Sequence, residues 1–358
     1  MRTTSLEKKR NGLPSITGVL LELVLVVGSA FVICGIIIAA SGNNPFYAYY
    51  QLFANSFVGI QNIATTLQFT TPLILAGLAT AAGFQGGVFN MGVEGQFYMG
   101  AMAASLVGTF TPGLPWYIIQ PLTILAAMVA GSAWSVIPAL MKVKLGINEI
   151  VSSIMTNYIA ILFTSYLVNY PFKEPGINAQ TPAIQASAQF AKIVPKTQFS
   201  TGIFIALAAL AFMFWLLWRT SYGLEVRTVG LNRRFSQYSG IPTSKRMIES
   251  FLISGAIAGL AGSVEIMGVY HRFMEEFAGT IGTDGIAVAL LGRSHPIGIF
   301  FSSLLFGALK NGSLAMERMT PISRHLIMVL QAVVIFSVTS SYGLKKLYQK
   351  LGKGGSKA

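Results

Sequence analysis

The chain has 358 residues, of which 53% are hydrophobic and 10% charged, against roughly 25% charged residues in a typical soluble domain. That balance excludes an ordinary soluble domain and points to a polytopic membrane protein. Lys and Arg outnumber Asp and Glu by 25 to 12, but the cations sit in short loops and tails beside apolar runs and interleaved exposed aromatics are not expected, so they set topology and no nucleic-acid partner is expected.

The start, MRTTSLEKKRNGLP, is basic, and the apolar run from about Ile16 to Ala40 exceeds the roughly 7–15 residues of a signal-peptide core. It reads as a retained first span. The single cysteine, Cys34, lies inside it, which excludes an intrachain disulfide and a cysteine metal cluster. Further runs near the ~20 residues a spanning helix needs recur at 59–82, 97–111, 116–141, 149–169, 201–218, 249–270, 296–316 and 323–341. Both ends are basic, with Lys8, Lys9 and Arg10 at the front and Lys345, Lys346 and Lys350 at the back. If both are cytoplasmic the number of crossings is even, and a tenth is required.

Several connecting segments carry information of their own. Residues 45–59, rich in aromatics at near-helical spacing, predict an interfacial helix on the outer surface. Gly83 to Gln96, GFQGGVFNMGVEGQ, has no Lys or Arg. An ordinary cytoplasmic loop is one reading, and a backbone break lining a pathway is the other, favoured by its alternation of glycine with aromatic and amide residues. Residues 170–200, with Pro171, Pro175, Pro182 and Pro195, form the longest external stretch. Thr280 to Gly292, TIGTDGIAVALLG, is too short for a full span and supplies the tenth crossing as a broken or half helix. Two interrupted segments in corresponding halves are the pattern of a transporter's central site. Phe84, Gln85, Phe89, Asn90, Glu94, Gln96 and Asp284 are therefore the candidate pathway residues. Glu265 and Lys310 also lie in apolar segments, where a structural pair is the alternative to a functional role.

The loop from Arg219 to Arg246 holds six cations against the single acid Glu225, which places it in the cytoplasm. Within it Asn232 can cap a short helix over about Arg233 to Ser239, Gly240 can end that helix, and Pro242 prevents its continuation. Such a helix is a rigid knob for another protein's cleft. No phosphate-cradling GxxxxGK[ST] loop or HExxH is present, and the three histidines are scattered. No catalytic residue, metal site or cofactor is expected, and the chain is expected not to be an enzyme.

The run TSYGLEVRTVGLNRRFSQYSGIPTSK resembles the coupling loop of ABC-importer permeases of the ribose, simple-sugar, branched-chain amino acid and nucleoside branch. The resemblance extends to GGVFNMGVEGQFYMGAM and GTDGIAVALLGRSHPIG, most like the simple-sugar and nucleoside subgroup, while the GGIDLSVG wording of the sugar members is missing. It implies one permease domain over residues 1–358, with its coupling loop at 219–247, about ten helices and two short or broken ones. ATPase coupling falls on Arg227, Gly230, Asn232, Arg233, Arg234, Tyr238, Gly240 and Ile241. The implied partners are a cytoplasmic ABC ATPase, a second permease subunit, homologous or identical, and an extracellular substrate-binding lipoprotein of the basic-membrane-protein type. The implied place is the bacterial cell membrane. The rival reading, a carrier driven by an ion gradient, needs an acid such as Glu94 or Asp284 to bind H⁺ or Na⁺ at membrane depth.

Overall fold

The computed structural model describes residues 28, 31–40, 42–319, 328, 329, 332 and 333. The predicted span at 323–341, most of the first span and both basic termini lie outside them. The chain divides into two compact units, one of residues 49–320 and one of residues 1–48 with 321–358. In the second, Phe31–Ala40 (α1) is an apolar helix with Cys34 and Ile38 buried. Asn44 then caps the start of Pro45–Phe57 (α2), its Oδ1 accepting from the Phe46 N–H at 3.0 Å.

The larger unit is built from Ile60–Gln85 (α3), Val93–Phe110 (α4), Trp116–Leu145 (α5), Glu149–Asn169 (α6), Gly202–Arg219 (α7), Ser221–Leu231 (α8), Arg233–Tyr238 (α9), Thr243–Glu265 (α10), Ile281–Leu291 (α11) and Pro296–Met319 (α12). Among the described residues six helices, α3, α5, α6, α7, α10 with its extension, and α12, are long and apolar enough to cross a membrane. The segment at 280–292 is the short helix α11 of 11 residues, about 16 Å at ~1.5 Å per residue and so near half the ~30 Å hydrocarbon thickness.

Burial sorts these helices. Every residue of α3 from Thr70 to Gly83 is buried, as is α10 from Ile257 to Glu265, so these two are the central pair. The outer helices α5, α6 and α7 turn Leu125, Leu162, Phe204 and Trp215 outward, as lipid-facing surfaces do. Small residues hold the centre: a Cβ on Gly259 of α10 would lie 2.1 Å from the Ala127 carbonyl oxygen of α5, and one on Gly100 of α4 would lie 2.3 Å from the Gly259 Cα. Three backbones meet where side chains are absent, which is how helices gain van der Waals contact in lipid.

Two boundaries differ from the sequence expectation. The break at 83–96 is shorter, because the Asn90 side chain folds back to accept from the Gly92 N–H at 3.0 Å and α4 begins at Val93. Glu94 and Gln96 therefore lie in its first turn. The loop at 219–246 is more helical, because Thr220 Oγ1 accepts from the Gly223 N–H at 3.0 Å and starts α8, and α10 begins at Thr243. The short helix itself is present as α9: Asn232 Oδ1 accepts from the Phe235 N–H at 3.1 Å, and Gly240 ends it at φ 79°.

Gly259→Leu is expected to destabilise the bundle by about 3 kcal/mol or more, the upper range for overpacking, whereas Leu162→Ala on the lipid face has a small effect. Thermal unfolding in detergent followed by size-exclusion chromatography measures both. Equal melting temperatures would disprove the close-packed centre.

Candidate functional site

The two interrupted segments meet. Thr283 at the start of α11 donates to Glu94 Oε2 at 3.1 Å, and a Cβ on Gly282 would lie 2.3 Å from the Glu94 Cβ. The other end of α11 is tied by Gln85 Nε2, which donates to the Ser294 carbonyl at 3.0 Å. Asp284, one residue further along α11, holds Lys310 Nζ of α12 at 2.7 Å and accepts from Thr280 Oγ1 at 2.9 Å. Its negative charge is thus already neutralised by a partner.

The amides of the first break are used by the protein itself. Asn90 Nδ2 donates to Gln96 Oε1 and to Ser254 Oγ of α10, both at 2.9 Å, and Gln96 Nε2 donates back to Asn90 Oδ1 at 3.3 Å. Both residues are fully buried, and the network pins the break to the central helix. Phe84 and Phe89 stack with centroids 4.5 Å apart. Gly87 lies against Gly230 of α8, a Cβ there falling 2.9 Å from the Gly230 Cα. The break and the basic loop therefore share one end of the molecule, a proximity the sequence does not disclose.

At that end Arg246 is the fastener. Its Nε lies 2.7 Å from Glu225 of α8, its Nη1 lies 2.6 Å from Glu249 of α10, and its guanidinium stacks over the Tyr222 ring at 4.8 Å. Arg227 lies over Trp218 at 5.4 Å. Val229 of α8 joins Val88, Ala139, Met247 and Phe251 in one apolar cluster. The knob beyond α8 is left uncovered: Leu231, Phe235 and Tyr238 are 88%, 60% and 93% exposed, while Arg233, Arg234, Asn232 and Gly240 are exposed around them. In the sequence Arg246 counted only as a charge, and its three partners become visible only in the folded chain.

The opposite end is closed by an ordered strap formed from the proline-containing stretch at 170–200. The Thr181 N–H donates to the Phe273 carbonyl at 2.9 Å, that of Ile184 to His271 at 2.8 Å and that of Phe190 to Met267 at 2.9 Å. Arg272 pairs with Glu174 at 2.8 Å. Hydrogen bonds from Ser165 and then Asn169 hold the Glu275 carboxyl below its usual range. Beneath the strap Tyr98, Tyr270 and Phe273 surround Phe277, with centroids 5.5, 5.1 and 5.2 Å from it. Sequence reading missed this aromatic cluster, since residues 97–98 and 270–277 are brought together only by the turn after α10. There the helix widens into the π-turn Ile266–Tyr270, and His271 takes a left-handed conformation at φ 58°.

The chain thus combines a lipid-facing bundle, two interrupted segments that meet inside it, and an exposed knob at one end. It belongs to the family described as branched-chain amino acid transport system / permease component, whose model matches residues 62–339. It is 36% identical over 327 residues to the guanosine ABC transporter permease protein NupP of Bacillus subtilis, covering 90% of this chain and 93% of NupP. It is 32% identical to the nucleoside ABC transporter permease protein NupB of Lactococcus lactis, covering 93% of each chain. It is also 32% identical to the glucose ABC transporter permease protein TsgB13 of Haloferax volcanii, covering 89% of this chain and 87% of that one. A search of the solved structures gives no match.

The Asp284–Lys310 pair allows a stringent test. Removing either partner leaves the other charge largely buried, at a cost of about 3 kcal/mol. Asp284→Asn and Lys310→Met are each expected to lower the melting temperature, and the double variant to recover most of the loss. Additive losses in a double-mutant cycle would show that the pair is not coupled.

Proposed function

We propose that this chain is the membrane-spanning permease subunit of an ATP-driven importer for nucleosides, moved by a separate cytoplasmic ATPase and fed by an extracellular substrate-binding lipoprotein. The observation that carries this reading is the nearly end-to-end similarity to NupP and NupB. The whole chain acts as one permease domain of about ten crossings in the bacterial cell membrane, with both termini and residues 219–247 cytoplasmic and residues 170–200 outside. A second permease subunit completes the pathway. The identity to TsgB13 favours a sugar as the second substrate reading.

In this reading α9 is the coupling helix. Arg227, Gly230, Asn232, Arg233, Arg234, Tyr238, Gly240 and Ile241 shape or present the knob, and the exposed Phe235 and Tyr238 enter the ATPase. Movement of the knob passes to α10 through Arg246, which grips Glu225 and Glu249 together. Because α10 is central and tightly packed, a displacement at one end shifts its far end, where the π-turn and the strap lie. Phe84, Gln85, Phe89, Asn90, Glu94, Gln96 and Asp284 form the wall between the two ends. Glu94 lines it, while Asn90 and Gln96 keep the break in shape. An ion-driven carrier is disfavoured on physical grounds, because Asp284 already has Lys310 as counter-ion, and adding H⁺ or Na⁺ gains little there.

Three outcomes follow. With its ATPase and binding protein in proteoliposomes, the complex takes up labelled guanosine when ATP is supplied and all ion gradients are collapsed. Uptake that vanishes with the gradients would establish the carrier reading instead. Gly240→Val forces a β-branched residue at positive φ, costing roughly 1–3 kcal/mol of local strain, and is expected to reduce uptake and substrate-stimulated ATP hydrolysis with insertion intact. Normal uptake in that variant would make the loop a topology signal alone. In a Cys34→Ala background, an impermeant maleimide should modify the exposed Asn178→Cys from outside and Gln237→Cys only from inside. Modification of both from one side would break the assigned topology.

A further inference from the structure

Between α3, the π-turn, α11 and α12 lies a cavity of about 100 Å³, lined by Gln68, Phe69, Pro72, Glu265, Val269, Tyr270, Ala278, Ile281 and Lys310. A narrower cleft shares Gln68, Glu265 and Val269 with it and adds Thr71, Gln198, Ser200 and Val264. Three of these groups have polar capacity to spare. Glu265 is only 5% exposed and, unlike Asp284, has no hydrogen bond or ion pair among the described residues. The Gln68 amide likewise has no hydrogen bond among the described residues. Lys310 gives one contact to Asp284 at 2.7 Å, while an ammonium has three N–H donors. Pro72, one helical turn after Gln68, lacks the N–H that would take up the Gln68 carbonyl in a regular helix.

Buried polar groups are ordinarily satisfied, so a nearly buried carboxylate with no hydrogen bond among the described residues, facing a partly exposed amide and ammonium, marks a place where something else supplies the partners. The local widening of α10 into a π-turn beside them is a backbone form concentrated at functional sites. The cavity volume corresponds to roughly three waters at ~30 Å³ each. It admits one polar edge of a substrate in this conformation, not a whole nucleoside.

We propose that Glu265, Gln68 and Lys310 form a binding step inside the membrane for the vicinal diol of a neutral ribonucleoside or sugar. The inference rests on the importer reading above and names the part of the substrate that the passage recognises. Two adjacent hydroxyls donate to one carboxylate side by side, and their oxygens accept from the ammonium and the amide, so every spare group is used at once. Phe69 and Tyr270 supply apolar surface for the ring that carries the diol. A diol carries no charge and is common to the nucleoside and glucose named for the relatives.

The test uses the complete complex in proteoliposomes, with binding protein saturating and fully loaded, so that differences in capture are removed. Initial ATP-dependent uptake is compared for guanosine and 2′,3′-dideoxyguanosine, and in a second arm for D-glucose and 2,4-dideoxyglucose, which keeps no vicinal pair of hydroxyls. The arm that shows discrimination identifies which carrier of the diol is recognised. The wild type is expected to move the diol-bearing compound about tenfold faster, the effect of losing a hydrogen bond to a charged group. Glu265→Gln should bring that ratio to about one. Where Glu265→Gln is not recovered as an assembled complex, Gln68→Ala at the rim of the cavity is read by the same ratio and should lower it at least about threefold. A wild-type ratio near one, an equal fall of both compounds in the variants, or a change in pH or sodium dependence alone would overturn the proposal. No ATP-dependent uptake of any nucleoside or sugar by the wild type would instead remove the importer reading beneath it.

Discussion

The close approach of α4, α5 and α10 at Gly100, Gly131, Gly255 and Gly259 is the constraint on which the rest of this structure depends. In lipid, apolar side chains gain little by leaving one hydrocarbon surface for another, so helices associate through dense contact and a few polar bonds. A Cβ on Gly131 would fall 2.3 Å from the Gly255 carbonyl oxygen, and no rotamer change relieves a backbone clash. Only glycine at these positions brings the three axes close enough for Ser254 to reach Asn90, and through it Gln96, at 2.9 Å. The polar network that shapes the first break is thus a consequence of backbone packing a turn away.

That packing also makes α10 a stiff connection between the two ends of the molecule. At its start Arg246, held by Glu249 one turn along α10, joins it to α8 through the Glu225 carboxylate and the Tyr222 ring. At its end the π-turn meets the strap through the Phe190 and Ile184 backbone bonds to Met267 and His271. Neither surface ion pairs nor single hydrogen bonds are strong individually. Their effect comes from sitting at opposite ends of one helix whose middle cannot bend into its neighbours.

The buried charges divide into two kinds by their partners. Asp284 and Lys310 neutralise each other across α11 and α12, and Glu94 accepts from Thr283 across the two interrupted segments. Such contacts hold the short helix in place where it lacks the length to span the bilayer. Glu265 stands apart, enclosed beside a small cavity with no hydrogen bond among the described residues.

Much of this was legible in the chain itself. Apolar length placed the spans at 59–82, 116–141, 149–169, 201–218 and 296–316 within a few residues of helices α3, α5, α6, α7 and α12, because a segment that must satisfy its backbone in lipid has no alternative to a helix. The cap and stop of α9 were readable from Asn232 and Gly240, since both act through local backbone geometry. The shortness of α11 followed from its composition. What the sequence could not determine was which polar residues face one another. Asn90 and Ser254 are 164 residues apart, Arg246 and Glu225 are 21, and Thr181 meets Phe273 through a strap with no periodicity at all. Pairings of that kind depend on how the helices pack, so the polar network at the first break, the contacts of Arg246 and the cavity at Glu265 were decided by tertiary structure alone.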